Sequence, residues 1–360
     1  MSSSRAWAPD RIGHDEPRRE PERGRRGEAA GTGPAPRLVP AAPAGQPAVV
    51  LICDLNYVIP TLATALSVAR HTRNVRVCLF VVGGDPETIG EIGNAVRDTM
   101  IEVRPAELDR FGEYAGGHRD RYLPPIALAR FWLDELLDPE IDRFLYLDGD
   151  TMVDGELDSL LAAPPPEGRI MAVPDALSIY FGDRGRGRAG DLAYLEGLGC
   201  APEQYFNSGV LYVSRATWAE IVPVAKAFLL EHPDRCRSSD QSALNFAARE
   251  RVQPLPLRYN YQSEHMMALD PRPRGLHPRI WHFSSAPKPW DAAGWPWEGG
   301  FDRYYREAAA LLAHGAVPAP ETPPAQAQAG LGHRRRTRFR LAWLYPWRKL
   351  ARRSRILRRF

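Results

Sequence analysis

The sequence predicts an α/β protein: a single Rossmann-like domain whose central sheet is mostly parallel and flanked by helices. Three observations lead there. Of the 360 residues, 44% are hydrophobic and 25% are charged, which is the composition of a soluble globular chain. Short apolar runs alternate with stretches of helical periodicity, as in βαβ units. Residues 1–46 and 315–332 hold too few large apolar side chains to offset the entropy of ordering, which confines the folded domain to residues 47–314.

Within that domain AVVLIC (48–53) reads as the first strand, followed by a helix through TLATALSVARH. VRVCLFVVG (75–83) precedes a helical TIGEIGNAVRD, IEVRP (101–105) precedes IALARFWLDELL, and RFLYLDGD (143–150) forms the fourth run. Then come IMAVPD (170–175), SGVLYVS (208–214), a helix through WAEIVPVAKAFLLEH, a short helix QSALNFAARE and a last apolar run, IWHF (280–283). There is no internal repeat. The flanks read as a disordered leader (1–46), a Pro/Ala-rich linker (315–332) and a basic, aromatic tail (333–360).

Charge is unevenly spread. The tail holds 12 Lys/Arg and no acid, whereas residues 47–332 hold 27 basic against 38 acidic residues, a net charge of −11. A body this acidic argues against nucleic acid as the main ligand. The four cysteines (Cys53, Cys78, Cys200, Cys236) show no CxxC spacing and are too sparse for a disulfide framework. No stretch is long and apolar enough to span a bilayer, and the first twenty residues lack the apolar core of a secretory signal. The expected location is cytoplasmic.

In open α/β sheets ligands sit beyond the carboxyl ends of the strands, so the residues just after each run are the candidates for chemistry. The fourth run ends in Leu147-Asp148-Gly149-Asp150, two carboxylates able to reach one cation, and hard oxygen ligands suit Mn²⁺ or Mg²⁺. A solvated acidic turn would show the same spacing. After IWHF, His282 offers a neutral imidazole as a third ligand, although a buried structural histidine reads alike. Lys288 is one of three lysines against 44 arginines, and a compact ammonium retained in such a chain suits a diphosphate. After the first run, Asp54 and Asn56 would share one side of an extended segment and read a base or ribose edge, with Tyr57 as a stacking face. Either residue could equally cap a helix.

Taken together, CDLNY, ALARFWL, FLYLDGD, AVPD, YFNSGVLYVS, SSDQSALN and HFSSAPKPW stand in the order and spacing that resemble glycosyltransferase family 8. The likeness is to its bacterial lipopolysaccharide galactosyltransferase branch and, more distantly, to glycogenin, and it spans about residues 48–297. It implies a GT-A-type fold, a UDP-sugar donor and Mn²⁺, with Asp148, Asp150 and His282 as metal ligands. It places Asp54, Asn56 and Tyr57 at the uridine and ribose, Arg130 near the donor sugar and phosphate, and Lys288 at the diphosphate. Gly149 lies within the nucleotide-binding Asp-x-Asp, while Asp175, Asn207, Asp240 and Gln241 match positions that hold the sugar. In the family the anomeric configuration is retained, and Gln241 would face the reacting carbon. The resemblance thus implies transfer of a hexose, galactose or glucose, to a glycan or lipid-linked acceptor.

Two positions depart from the family pattern. Ser285 stands where the family has a glycine whose N–H approaches phosphate, and Ser242 replaces the second acid of a frequent Asp-Gln-Asp. The tail, with Phe339, Trp343, Tyr345, Trp347 and Phe360 among its arginines, is expected to lie on an anionic membrane surface at the inner face, split by Pro346 into two short helices. The Gly- and Arg-rich stretch at 176–204 is the expected lid over the donor. Three rivals compete. A haloacid-dehalogenase-type phosphatase would want Thr where Met152 stands, a nucleotidyltransferase would leave the segment from His282 to Trp290 unexplained, and a sugar-binding pseudoenzyme would rest on Ser285.

Overall fold

The computed structural model describes residues 45, 47–108, 111–116, 125–180, 186–269, 275–291, 300–312, 317–318, 324–344 and 346–360. The expected leader, apart from Gly45, and Tyr345 of the tail lie outside them, as do residues 181–185 of the expected lid.

The first strand, β1 (Ala48–Asp54), shows why the apolar runs have no polar alternation. Val49, Leu51 and Cys53 enter one core, while Ala48, Val50 and Ile52 enter a second on the opposite face. A strand buried on both faces reads as continuous hydrophobicity. Helix α1 (Val58–His71) leads to β2 (Arg76–Val82). Then comes α2 (Pro86–Ala95), started by Pro86 and by Asp85, whose carboxylate accepts from Thr88 N at 2.8 Å. After β3 (Ile101–Ala106) and α3 (Phe111–Gly116), residues Pro125–Trp132 wind as a 3₁₀ helix that passes into α4 (Leu133–Leu136). The α-helix expected through IALARFWLDELL is therefore mostly of the tighter kind. Leu128, Ala129, Phe131 and Trp132 are all buried, and Arg130 is only 4% exposed, so this turn is enclosed rather than amphipathic.

Strand β4 (Arg143–Leu147) is followed closely by the short β5 (Thr151–Val153) and by α5 (Asp158–Leu161). Next come β6 (Ile170–Pro174), α6 (Arg186–Leu198) and β7 (Phe206–Ser214). The 17-residue α7 (Arg215–Glu231), α8 (Ser239–Ala248) and β8 (Val252–Pro254) follow. The main sheet has the order β3-β2-β1-β4-β7-β6-β8. Its pairings are parallel except where β7 meets β4 and β6. The chain crosses from β3 back past β1 to β4, which makes the carboxyl ends of β1 and β4 the point where the strand order reverses, and Asp54 and Asp148 stand there.

A second, three-stranded sheet was not foreseen. It has the order β5-β10-β9, from β9 (Tyr261–Gln262), α9 (Ser263–Leu269) and β10 (Ile280–His282). Its strands are two or three residues long, too short to show a period in the sequence. It positions the site all the same, because β10 runs antiparallel to β5 with His282 opposite Thr151, and Phe283 N donates to Asp150 O at 2.9 Å.

Helix α10 (Asp302–Leu311) packs on α1. Beyond it, α11 (Pro324–Phe339) begins inside the stretch read as linker. A π-helical turn, Arg340–Leu344, and α12 (Pro346–Leu357) complete the described chain. The tail is not free of the domain, since Ile356 is fully buried in the larger core cluster. Leu257 N donates to Arg359 O at 2.8 Å, and Arg355 Nε donates to Ile179 O at 2.7 Å.

Candidate active site

At the end of β1 the backbone turns at once into a 3₁₀ helix, Leu55–Tyr57, capped by Asp54, whose carboxylate accepts from Tyr57 N at 3.1 Å. The segment is thus not extended, and Asp54 and Asn56 do not alternate on one side as expected. Asn56 is exposed. Tyr57 turns inward and meets the edge of Trp290 at 5.5 Å between ring centroids, and Trp290 meets Tyr305 at 5.0 Å. Together they form an aromatic wall beside the strand ends.

Asp148 and Asp150 leave β4 on either side of Gly149, which is glycine for a steric reason: a Cβ there would lie 2.2 Å from Thr61 Oγ1. Thr64 Oγ1 pins the same turn by donating to Thr151 O at 2.7 Å and Gly149 O at 3.2 Å. The ligand atoms of Asp148, Asp150 and His282 lie within 4.8 Å of one another. His282 Nε2 is 3.3 Å from Asp150 Oδ1 and 3.8 Å from Asp148 Oδ2. Burial alone would lift the Asp150 carboxyl, but Lys288 and His282 outweigh it and hold the group well below the usual carboxylate range. Burial conversely opposes charge on His282, and the two aspartates overcome it and raise the imidazole above its ordinary value.

Beneath Asp148 lies Arg130, buried and donating to Asp148 Oδ1 at 2.9 Å and to Ser208 O at 2.7 Å, with its Nε 3.2 Å from Asp240 Oδ2. Tyr146 OH donates to the same Asp148 oxygen at 2.7 Å. Arg130 therefore orients two site carboxylates from below. Despite Arg130, burial raises the Asp240 carboxyl.

Of the residues matched to the sugar pocket, Asp175, Asn207 and Gln241 come together, while Asp240 pairs with Arg130 and Ser208 Oγ. Gln241 Nε2 donates to Asp175 Oδ2 and to Tyr205 OH, both at 3.1 Å, while its Oε1 accepts from Ser208 N at 3.1 Å and Asn207 Nδ2 at 3.2 Å. Burial raises the Asp175 carboxyl although Leu177 N, Asn207 and Gln241 all donate to it. Ser242 meets this cluster only through Tyr194, whose hydroxyl lies 3.3 Å from that of Tyr205. It accepts from Ser238 N at 2.8 Å and pairs with Tyr194 OH at 2.6 Å, so the missing second acid is replaced by a structural hydroxyl at the start of α8.

Lys288 Nζ donates to Asp150 Oδ2 at 2.7 Å and Phe283 O at 2.6 Å, which brings the ammonium against the triad. Ser285 is not in the left-handed region, so the backbone here does not demand glycine, and its N–H donates to Ser263 Oγ at 3.3 Å.

Several site residues were missed. Asn260, fully buried, bridges His282 Nδ1 (2.9 Å) and Asn207 Oδ1 (2.8 Å), and nothing in LRYNYQ marks it. Gly209 on β7 passes directly under the triad, where a Cβ would lie 2.3 Å from His282 Cε1 and 2.6 Å from Asp148 Oδ2. A glycine inside an apolar strand signals such a close approach and could have been read so. Glu264, whose carboxyl burial raises, accepts from Ser284 Oγ at 3.2 Å. Its position depends on the unforeseen α9.

Comparison with known proteins yields a consistent set. The profile described as Glycosyl transferase family 8 matches residues 48–294. Glycosyltransferase GlyF of Streptococcus pneumoniae serotype 4 is 29% identical over 257 residues, covering 68% of this chain and 57% of that protein. The lipopolysaccharide 1,2-glucosyltransferase of Escherichia coli is 24% identical over 216 residues, covering 58% of this chain and 60% of that one. The chain thus spans less than two thirds of either relative. Among solved structures, galactosyltransferase LgtC in complex with donor and acceptor sugar analogs aligns with a TM-score of 0.58 at 20% identity, over 77% of this chain and 98% of that one. At that identity the likeness establishes the GT-A-type fold alone.

Proposed function

We propose, from the premise that this chain belongs to glycosyl transferase family 8, that it is a metal-dependent retaining hexosyltransferase. It would move galactose or glucose from a UDP-sugar to a glycan or lipid-linked acceptor. The observation that carries this reading is the convergence of Asp148, Asp150 and His282, with Lys288 on Asp150, at the strand ends. Two carboxylates with one imidazole suit Mn²⁺ better than Mg²⁺, which prefers an all-oxygen shell. Gly209 fits the same purpose, since its missing Cβ leaves the space between His282 and Asp148 clear. When bound, the ion supplies Lewis-acid stabilisation of the leaving diphosphate.

The chain's own groups supply the rest. Lys288 brings a flexible positive charge to the diphosphate, and Tyr57, with Trp290 behind it, offers a face to uracil. Asp175, Asn207 and Gln241 present the paired acceptors and donors that sugar hydroxyls need, with Asp240 beside them on Arg130. Retaining glycosidases use a carboxylate nucleophile, whereas the residue matched to the reacting carbon here is the Gln241 amide, a poor one. The reading is therefore front-face substitution. The acceptor oxygen bonds to the anomeric carbon as the bond to phosphate breaks, the acceptor proton passes to the departing phosphate oxygen, and Gln241 stabilises the transition state.

No helix among the described residues is long and apolar enough to cross a membrane. The tail instead exposes Phe339, Trp343, Leu344, Trp347 and Leu350 among its arginines, Trp343 at 77%. This favours peripheral attachment to an anionic inner leaflet, with each basic residue near it worth about 1 kcal/mol. High salt should release the protein from membranes, and persistence in the pellet would count against attachment.

The deciding test is calorimetric titration of UDP into the full chain with Mn²⁺ and then with chelator. Binding that requires the metal and is lost in Asp150→Asn is expected. No binding in either condition would overturn the reading and move the phosphatase and pseudoenzyme alternatives ahead.

A further inference from the structure

We propose that the C-terminal segment is part of the donor site, and that Arg334 is a positioning residue for the loop that carries Lys288. The inference rests on the reading of that loop given above. It arises from a part of the chain beyond residues 48–294, where the family profile matches. Helix α11 buries no apolar stripe: among its described residues Arg334 is the one buried side chain, 4% exposed. Its guanidinium donates to the carbonyl of Ser285 at 3.3 Å and, in a shorter contact, to that of Pro287.

One turn earlier on the same face stands Gly330, so close to the loop that a Cβ would lie 2.2 Å from Ala286 O. These are two separate features, a close backbone approach that only glycine permits and a buried cation aimed at main-chain carbonyls. Both fall on residues 285–287. On its other side the loop is tied by Lys288 Nζ to Asp150 Oδ2 and Phe283 O, and by Lys288 N to Asp291 Oδ2 at 2.7 Å. Burial pushes the Arg334 guanidinium down to about 10, and the neighbouring Glu264 and Asp291 carboxylates act against that fall. The group stays cationic at neutral pH.

A charged donor to two carbonyls fixes the loop more firmly than neutral contacts would. Lys288 is then presented to the diphosphate by a loop held between the triad and α11. The tail becomes more than an appendage for attachment, because its first helix orders the donor site while Trp343 and Trp347 further on are exposed.

The test uses the full chain. Wild type, Arg334→Ala, Gly330→Leu and the control Arg335→Ala, which alters an exposed arginine on the same helix, are compared by hydrogen exchange over residues 283–291, by Mn²⁺ affinity and by UDP affinity with Mn²⁺. For Arg334→Ala the expected result is faster exchange in that loop, UDP binding weakened by about tenfold and Mn²⁺ affinity within about twofold of wild type. Gly330→Leu should act alike by wedging the helix away, and it stands in if Arg334→Ala does not fold. Arg335→Ala should change nothing. Unchanged exchange in both loop variants would overturn the proposal, and so would a loosened loop with unaltered UDP affinity. If wild type binds no UDP, the functional reading falls instead. The exchange data then still judge the clamp, faster exchange supporting it and unchanged exchange refuting it.

Discussion

Replacing Asn260 by leucine should remove most of the site's affinity for divalent metal without touching a ligand. Asn260 Nδ2 donates to Asn207 Oδ1 at 2.8 Å, so its oxygen faces His282 Nδ1 at 2.9 Å and that nitrogen must carry the proton. In the neutral ring Nε2, the atom that faces Asp150 and Asp148, then keeps its lone pair for a metal. Leucine fills a similar volume but accepts nothing, which frees the ring to rotate or change tautomer. Loss of such an outer partner typically costs 10- to 100-fold in metal affinity, about 1.4 to 2.8 kcal/mol. The orphaned, buried Nδ1–H adds about 1–3 kcal/mol of lost fold stability. Mn²⁺ titration followed by the electron paramagnetic resonance of the free ion reads the first effect, and urea unfolding without metal reads the second. Asn260→Asp keeps the acceptor and should keep most of the metal binding. The reasoning is refuted if Asn260→Leu unfolds like wild type and binds Mn²⁺ within about twofold of it.

Gly209→Ala should cost about 1–3 kcal/mol in urea unfolding, because its Cβ would lie 2.3 Å from His282 Cε1, and it should abolish metal-dependent UDP binding in calorimetry. Lys288→Ala should weaken UDP by about tenfold or more while leaving Mn²⁺ bound, and Lys288→Arg should restore little because a planar fork does not replace a point charge; equal UDP affinity in the alanine variant would refute the role. His265 provides a pH test. It must stay neutral to accept from Gln262 N at 3.1 Å, and burial, helped by Arg359 and His282, lowers it from 6.5 to about 3. The folded state then binds fewer protons than the unfolded one between those values, so this contribution is complete above pH 6.5 and is lost as pH falls toward 3. It amounts to about 2 kcal/mol between pH 7 and pH 5. In His265→Gln, unfolding midpoints at the two pH values should differ by correspondingly less.

How far the sequence foretold this structure depends on the range of the forces involved. β1, β2 and β4 were legible because each is an apolar run buried on both faces, and Asp148 and Asp150 because they end such a run. His282 was legible as a third ligand from its place after an apolar run, where a structural histidine reads alike, and the resemblance to the family favoured the ligand. What joins it to the two aspartates is the sheet of β5, β9 and β10, whose strands are too short to show a period. Asp54 and Asn56 left two readings open, an extended segment or a helix cap, and the structure has the cap: Asp54 accepts from Tyr57 N and bends the chain within three residues. The tail was read from composition, which sees arginines and aromatics but not that Arg334, Leu341 and Ile356 face the domain. A single buried cation on a polar helix leaves no periodic trace.

The missed residues nevertheless tie the two halves of the site into one network. Starting at the sugar side, Asn207 Nδ2 donates to Gln241 Oε1, and its Oδ1 then accepts from Gly209 N and Asn260 Nδ2. Asn260 Oδ1 in turn faces His282 Nδ1. Each amide is oriented by the one before it, so the tautomer of the metal-facing imidazole is linked to groups that would hold the hexose. Buried polar networks of this kind are not sums of pairs. Substitutions at Asn207 and His282, although not in direct contact, should therefore show coupling in a double-mutant cycle on Mn²⁺ affinity, whereas independent sites would add within about 0.5 kcal/mol. Additivity there would mean that sugar recognition and metal binding are built separately. Coupling would mean that binding at one end already sets the geometry of the other.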